Sequence, residues 1–195
     1  MLPIDAGASL LPIARVAIAC ALGRNTVATE SEVWLQQPGA CFVTLVLAGE
    51  LRGCIGSLEA RRPLLADVKA NAVAAALRDS RFAPLLAQEF DSTQIEISVL
   101  SPMQALVFGG ESEALAQLRP GIDGVTFECS GRRSTFLPQV WEQLPDRATF
   151  IAHLKRKAGF ATDFWSGDIR IRRYTVSKWI ESSTRQDNGE LNFSR

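Results

Sequence analysis

The apolar positions along the chain change period several times, and each change marks an element. Leu10, Ala14, Ala17, Ile18 and Ala21 recur at helical spacing and predict a first helix. Ser9 stands where an N-cap belongs, and Gly23 where the helix would close. Residues 24–40 are polar and contain the turn pair Pro38-Gly39. Cys41 to Leu47 is rich in β-formers, Ala48-Gly49-Glu50 reads as a short turn, and Leu51 to Ile55 as the returning strand of a hairpin. Pro63 can open a second helix with Leu65, Val68, Ala72 and Ala75 on its inner face, ending near Asp79.

Residues 80–93 carry no clear period, and Pro84 interrupts them. Ile95, Ile97 and Val99 then alternate with Glu96 and Ser98, the pattern of a half-buried strand. A short helix is predicted over 111–118, stopped by Pro120-Gly121. Val125, Phe127 and Cys129 alternate with Thr126 and Glu128. Gly131-Arg132 reads as a hairpin tip, with Ser134 to Leu137 returning. Pro138 starts a helical turn. Phe150, Ile151, Leu154 and Ala158 mark another helix, with Gly159 just past its end. Ile169 to Trp179 is mostly β in character, and from Ser182 the chain is polar and aperiodic, which predicts a disordered tail over 182–195. Helices mixed with hairpins, without β-α-β alternation, predict an α+β fold over residues 1–181: a mainly antiparallel sheet flanked by helices.

Composition narrows the function classes. The chain has 195 residues and is 47% hydrophobic, enough for one domain or two small lobes sharing a core. Lys+Arg and Asp+Glu are both 21, so the formal net charge is zero. A protein that neutralises phosphates usually carries a basic surplus, so nucleic-acid binding is disfavoured. The run from Leu10 to Leu22 is interrupted by Arg15 and preceded by no Lys or Arg. It is too short to span a membrane and lacks the positive region of a signal peptide, so the expected location is the cytoplasm, with no membrane partner. Cys20, Cys41, Cys54 and Cys129 are scattered, and His153 is the sole histidine. A zinc site wants paired Cys/His ligands and an iron–sulfur cluster wants grouped cysteines, so neither metal nor other cofactor is expected.

The sharpest chemical feature is Arg52-Gly53-Cys54-Ile55-Gly56. Alternation on a strand puts Arg52 and Cys54 on one face, and a guanidinium beside a thiol favours the thiolate. Gly53 and Gly56 let a ligand or another backbone come close. The same residues also fit a packing motif around a small buried cysteine. Glu96 and Ser98 share one face of their strand, and Arg81 follows the second helix.

Leu51-Arg52-Gly53-Cys54-Ile55-Gly56 resembles the six-residue signature of the AMMECR-one domain family. Asn71 to Phe82, with its D-x-R-F ending, is similar to the family's alanine-rich helix. Glu96 to Pro102 is similar to its E-x-S-V-L-x-P strand. Gly121 to Val125, Leu137-Pro138-Gln139-Val140 and Lys157-Ala158-Gly159 follow in family order, so the resemblance covers roughly residues 10–181. It implies two subdomains with the signature in a cleft between them. It also implies a candidate site of Cys54, Arg52 and Glu96 as chemical groups, with Gly53, Ile55, Gly56, Arg81 and Ser98 as ligand-binding neighbours. The bacterial branch carries the AmmeMemoRadiSam system name, which implies Memo-like and radical-SAM partner proteins.

Two functions fit. One is a thiol-dependent enzyme, or enzyme subunit, acting on a small molecule at Cys54. The other is a non-catalytic adaptor working with those two partners. His153 is the only ready base for a Cys–His pair, and it sits beside the apolar stripe of its own helix.

Overall fold

The computed structural model describes residues 2–182, so the predicted tail lies, beyond Ser182, outside the described residues. The first helix, α1 (Gly7–Ala21), begins before Ser9 and has no side-chain cap. A turn ahead of it explains why none is needed: the amides of Ala6, Ala8 and Ser9 donate to the carbonyls of Pro3, Asp5 and Ala6. Gly23, at φ +83°, closes the other end as expected.

The predicted hairpin is strands β1 (Pro38–Leu47) and β2 (Glu50–Gly56). Its tip, Ala48-Gly49, has positive φ at both residues, the backbone that matches the twist of two flanking strands. β1 starts three residues before the predicted Cys41. There Pro38 and Gly39 pair with β3 (Arg62–Pro63), a strand too short to leave a periodic signal. Helix α2 (Leu64–Leu77) follows, and then β4 (Thr93–Leu100).

After β4 the chain leaves this sheet. It builds β5 (Gln104–Ala105), α3 (Glu111–Ala116), β6 (Gly124–Cys129), β7 (Arg132–Phe136), α4 (Arg147–Lys157) and β8 (Arg170–Tyr174). The β6–β7 turn is Ser130-Gly131, both at positive φ, one residue earlier than predicted. β9 (Val176–Ile180) then returns to the first sheet.

Two antiparallel sheets result, ordered β2-β1-β4-β9, with β3 also on β1, and β5-β8-β6-β7. The fold is α+β. Each sheet has its own core: Leu10, Ile13, Ile18, Val43, Leu45, Val68, Ala72 and Ile97 in the first lobe, and Val125, Phe127, Trp141, Phe150, Ile151 and Leu154 in the second. A small third cluster of Ala40, Leu100 and Tyr174, with Phe42, Leu58, Met103, Leu137 and Val176 against it, joins them. The second lobe is therefore an insertion over residues 104–174 between two paired strands, β4 and β9.

α1 and α2 pack on one face of the five-stranded sheet, where Cys41, Val43 and Leu45 of β1 and Ile95, Ile97 and Val99 of β4 are buried. Alternation sends Phe42, Thr44, Glu96 and Ser98 to the opposite face, and all four are only half-buried. Among the described residues, no helix is long and apolar enough to cross a membrane.

Candidate functional site

The register of the first sheet places Cys54 opposite Thr44, and Thr44 opposite Glu96. The three form one row across β2, β1 and β4 on the half-open face. Thr44 Oγ1 donates to Cys54 Sγ at 3.3 Å. Glu96 is two strands from Cys54, a separation of roughly 10 Å at ordinary strand spacing, and its Oε2 lies 2.5 Å from Lys178 Nζ. Ser98 sits in the next row, between Phe42 and Lys178.

The edge of β2 is closed by a carboxylate and an arginine instead of another strand. The Cys54 amide donates to Asp79 Oδ2 at 2.8 Å, and its carbonyl accepts from Arg81 Nη2 at 3.1 Å. Asp79 in turn takes Arg81 Nε at 2.9 Å and Nη2 at 2.6 Å, and its side chain is almost fully buried. Arg81 therefore stands at the edge with its guanidinium fixed. Arg81, the Cys54 amide and the Arg81 amide together hold the Asp79 carboxyl well below the usual carboxylate range, against the opposing effect of burial. The Arg81 pKa is raised, chiefly by Asp79, and Cys54 is among the lesser contributors.

The arginine beside the thiol is thus Arg81, where the spacing pointed to Arg52. A β-bulge is the reason. Leu45 pairs with Gly53 but Val46 pairs with Leu51, so Arg52 is the extra residue and simple alternation fails at it. Its guanidinium clamps the irregular segment after α2. Nε and Nη2 bond Glu89 at 3.2 and 3.0 Å, while Nη1 and Nη2 bond the carbonyls of Ala83 and Pro84 at 2.9 and 3.3 Å.

Ile55 also departs from expectation. It lies opposite Val43 and packs against the helical core, so it does not face the row that carries Cys54. Gly53 and Gly56 are both required by close neighbours within the protein. A Cβ on Gly53 would fall 2.2 Å from the Ala75 carbonyl oxygen of α2, and one on Gly56 2.2 Å from the Phe42 ring. His153 lies on α4, where its ring contacts Arg156 and makes no hydrogen bond to the Cys54 group.

Of the residues that the sequence singled out, the structure brings Cys54, Arg81, Glu96 and Ser98 to one sheet or its edge. Sequence reasoning did not reach their neighbours Thr44, Asp79 and Lys178. Asp79 was within reach, because it is the acidic residue of the D-x-R-F ending. Thr44 and Lys178 become visible only through the register. The other thiols have different settings: Cys41 and Cys129 are buried and Cys20 is exposed. Burial foremost pushes the Cys41 thiol far up. Among the described residues, no three His, Cys, Asp or Glu side chains gather as a metal site would require.

Comparison with known proteins gives the family and the fold. A protein of Methanocaldococcus jannaschii is 33% identical over 191 residues, covering 95% of this chain and 94% of that one. Another, of Methanothermobacter thermautotrophicus, is 35% identical over 183 residues, covering 91% and 95%. The crystal structure of an uncharacterized protein from Pyrococcus horikoshii is similar in fold, with a TM-score of 0.74 and 29% identity, covering 88% of this chain and 89% of that one. The AMMECR1 family model matches residues 11–179, from α1 to the penultimate residue of β9, and takes in every group described around Cys54. With nearly its whole folded length matched, the chain belongs to the AMMECR1 family.

Proposed function

We propose that the half-open face of the five-stranded sheet binds a small polar molecule, with the Cys54 thiol as its reactive atom and Arg81 as the cation that meets an anionic group on it. One observation carries this reading. Cys54 sits on a strand face along which no helix packs among the described residues, hydrogen-bonded to Thr44 and flanked by an arginine that a buried aspartate locks in place. Fixed guanidinium geometry suits an anion better than a mobile one does. Glu96 and Lys178 stand farther along the row, as a charged pair able to exchange a proton with the distal part of a bound molecule.

The test uses alkylation. The purified chain is treated with iodoacetamide in the presence of fractionated metabolite extract, and each cysteine is followed by peptide mass spectrometry. At least one fraction should slow modification of Cys54 while leaving Cys20, the exposed reference, unchanged. Arg81→Gln should abolish the protection. If no fraction protects Cys54, the small-molecule reading fails.

The adaptor reading is favoured by a different observation. The group hydrogen-bonded to the Cys54 sulfur is a hydroxyl, not an imidazole or carboxylate that could take its proton. In that reading the same face contacts Memo-like and radical-SAM proteins. Co-purification with them, lost on substitution of Glu96 or Lys178, would support it.

A further inference from the structure

Past Gly56, the strand that carries Cys54 runs into a second polar cluster. A cleft of about 500 Å³ opens there at the seam between the lobes, lined by Arg61, Arg62 and Arg133 with Ser57, Glu59 and Asp67. Three guanidiniums face two carboxylates, and the carboxylates are placed very differently.

Asp67 is sealed in the protein, at 1% exposure. It accepts from the Cys41 amide at 2.9 Å, Ser57 Oγ at 2.7 Å, Arg62 Nε at 2.8 Å and Asn71 Nδ2 at 2.9 Å. Four hydrogen bonds hold its oxygens in place, so it fixes Arg62 from behind and offsets one of the three positive charges. Arg62 remains about two-fifths exposed. Its Nη2 makes only a long contact to Asn71 Oδ1 at 3.5 Å, and its Nη1 has no hydrogen-bond partner among the described residues.

Arg133 reaches across from the second lobe. Its Nη1 pairs with Glu59, while among the described residues its Nη2 has only the Met103 thioether at 4.0 Å, a poor acceptor. Glu59 is therefore the one carboxylate exposed to the cleft. It sits between Arg133 and Arg61, which hold its carboxyl down at about 2, Arg133 being the larger influence. The cleft carries a surplus positive charge, two incompletely used guanidinium forks from opposite lobes, and a surface carboxylate lying on one of them. Planar guanidinium forks are matched by two-oxygen anions.

We propose that this seam cleft is an oxyanion site, in which Arg62 and Arg133 clamp the phosphate or carboxylate group of a small ligand and Glu59 is the resident carboxylate that the ligand displaces from Arg133. Glu59 keeps Arg61 as a partner when it moves aside. Because the clamp draws one arginine from each lobe, an occupied site ties the lobes together. This inference stands apart from the thiol chemistry proposed for Cys54.

The full-length chain is titrated calorimetrically with inorganic phosphate and, separately, with malonate, at an ionic strength held constant by sodium chloride. The ratio of the two affinities tells phosphate from carboxylate preference. Glu59→Gln removes the competing anion and should tighten binding of the preferred anion about tenfold, whereas Arg133→Gln should weaken it about tenfold. Arg62→Lys keeps the charge but loses the fork and should weaken binding by a similar factor, about tenfold, while the exposed Arg61→Gln should shift it less than about threefold. Cys54→Ser should leave the titration unchanged, which separates failure here from failure of the thiol reading. If Arg62→Lys unfolds by stranding Asp67, the Glu59 and Arg133 variants decide. Unchanged or weaker binding in Glu59→Gln for both anions overturns the proposal, as does undiminished binding in Arg133→Gln.

Discussion

The carboxylate of Asp79 takes hydrogen bonds from the Cys54 amide, from the Arg81 guanidinium and from the Arg81 amide, and its side chain is 4% exposed. Losing its charge would leave a buried polar group facing donors with one fewer strong acceptor. The pH dependence follows from the direction of the shift. Arg81 first, and then the two amides, depress the folded pKa of Asp79 below that of an unfolded aspartate. Its contribution to stability is therefore complete above the unfolded value of about 4 and is lost as pH falls below it toward the folded value. Urea midpoints measured from pH 7 down to pH 3 should show Asp79→Asn less stable than wild type at neutral pH, with the gap narrowing below about pH 4. A gap independent of pH would mean that the Asp79 charge contributes nothing to stability.

The two glycines of β2 separate at the scale of elements. Gly53 meets the backbone of α2, which cannot move without the whole helix, while Gly56 meets an aromatic ring that can turn. Gly53→Ala should therefore cost about 2 kcal/mol or more, the range of overpacking in a filled interior, and Gly56→Ala distinctly less. Equal costs in chemical denaturation would contradict the packing assigned to α2 against β2. The same strand shows what sequence could and could not convey. Period-two alternation located β4, whose inner face is buried under the helices, while β-forming residues on either side of a short turn located β1 and β2. The bulge at Arg52 adds one residue to the pairing and leaves no mark in the hydrophobic pattern, so alternation misassigned the partner of the thiol. In α2, Asp67 and Asn71 lie one turn apart on the buried face. Polar residues at helical spacing among alanines were a usable sign of an internal network, but an apolar-period reading skips them.

At the scale of the whole molecule, sequence order concealed that residues 104–174 form an insertion. β4 and β9 pair across it, with Ile97 opposite Trp179, and nothing local in either strand specifies a partner so distant. The joint between the lobes is narrow. The chain crosses beside Ser101 and Thr175, which bond each other through Ser101 N to Thr175 O and Thr175 N to Ser101 Oγ, both at 2.9 Å. Tyr174 fills the joint. Its ring lies where a side chain on Gly124 would fall, and its hydroxyl lies 3.2 Å from both Thr135 Oγ1 and the Phe136 carbonyl. Each lobe has a separate apolar core, so the contacts at the joint are what couple them: this small cluster, the Ser101–Thr175 hydrogen bonds and the Glu59–Arg133 pair. Truncating a buried aromatic to alanine costs about 3–5 kcal/mol, and here the loss falls on the joint. The buried thiols report each lobe separately, Cys41 for the first core and Cys129 for the second. In wild type, pulse alkylation across a urea series should expose both at one midpoint. Tyr174→Phe keeps the ring and should lower that shared midpoint slightly. Tyr174→Ala should split it, with Cys129 exposed at lower urea than Cys41, because the inserted lobe loses its anchor while the first keeps both helices on its sheet. Coincident midpoints in Tyr174→Ala would mean that the lobes are coupled by contacts other than this cluster.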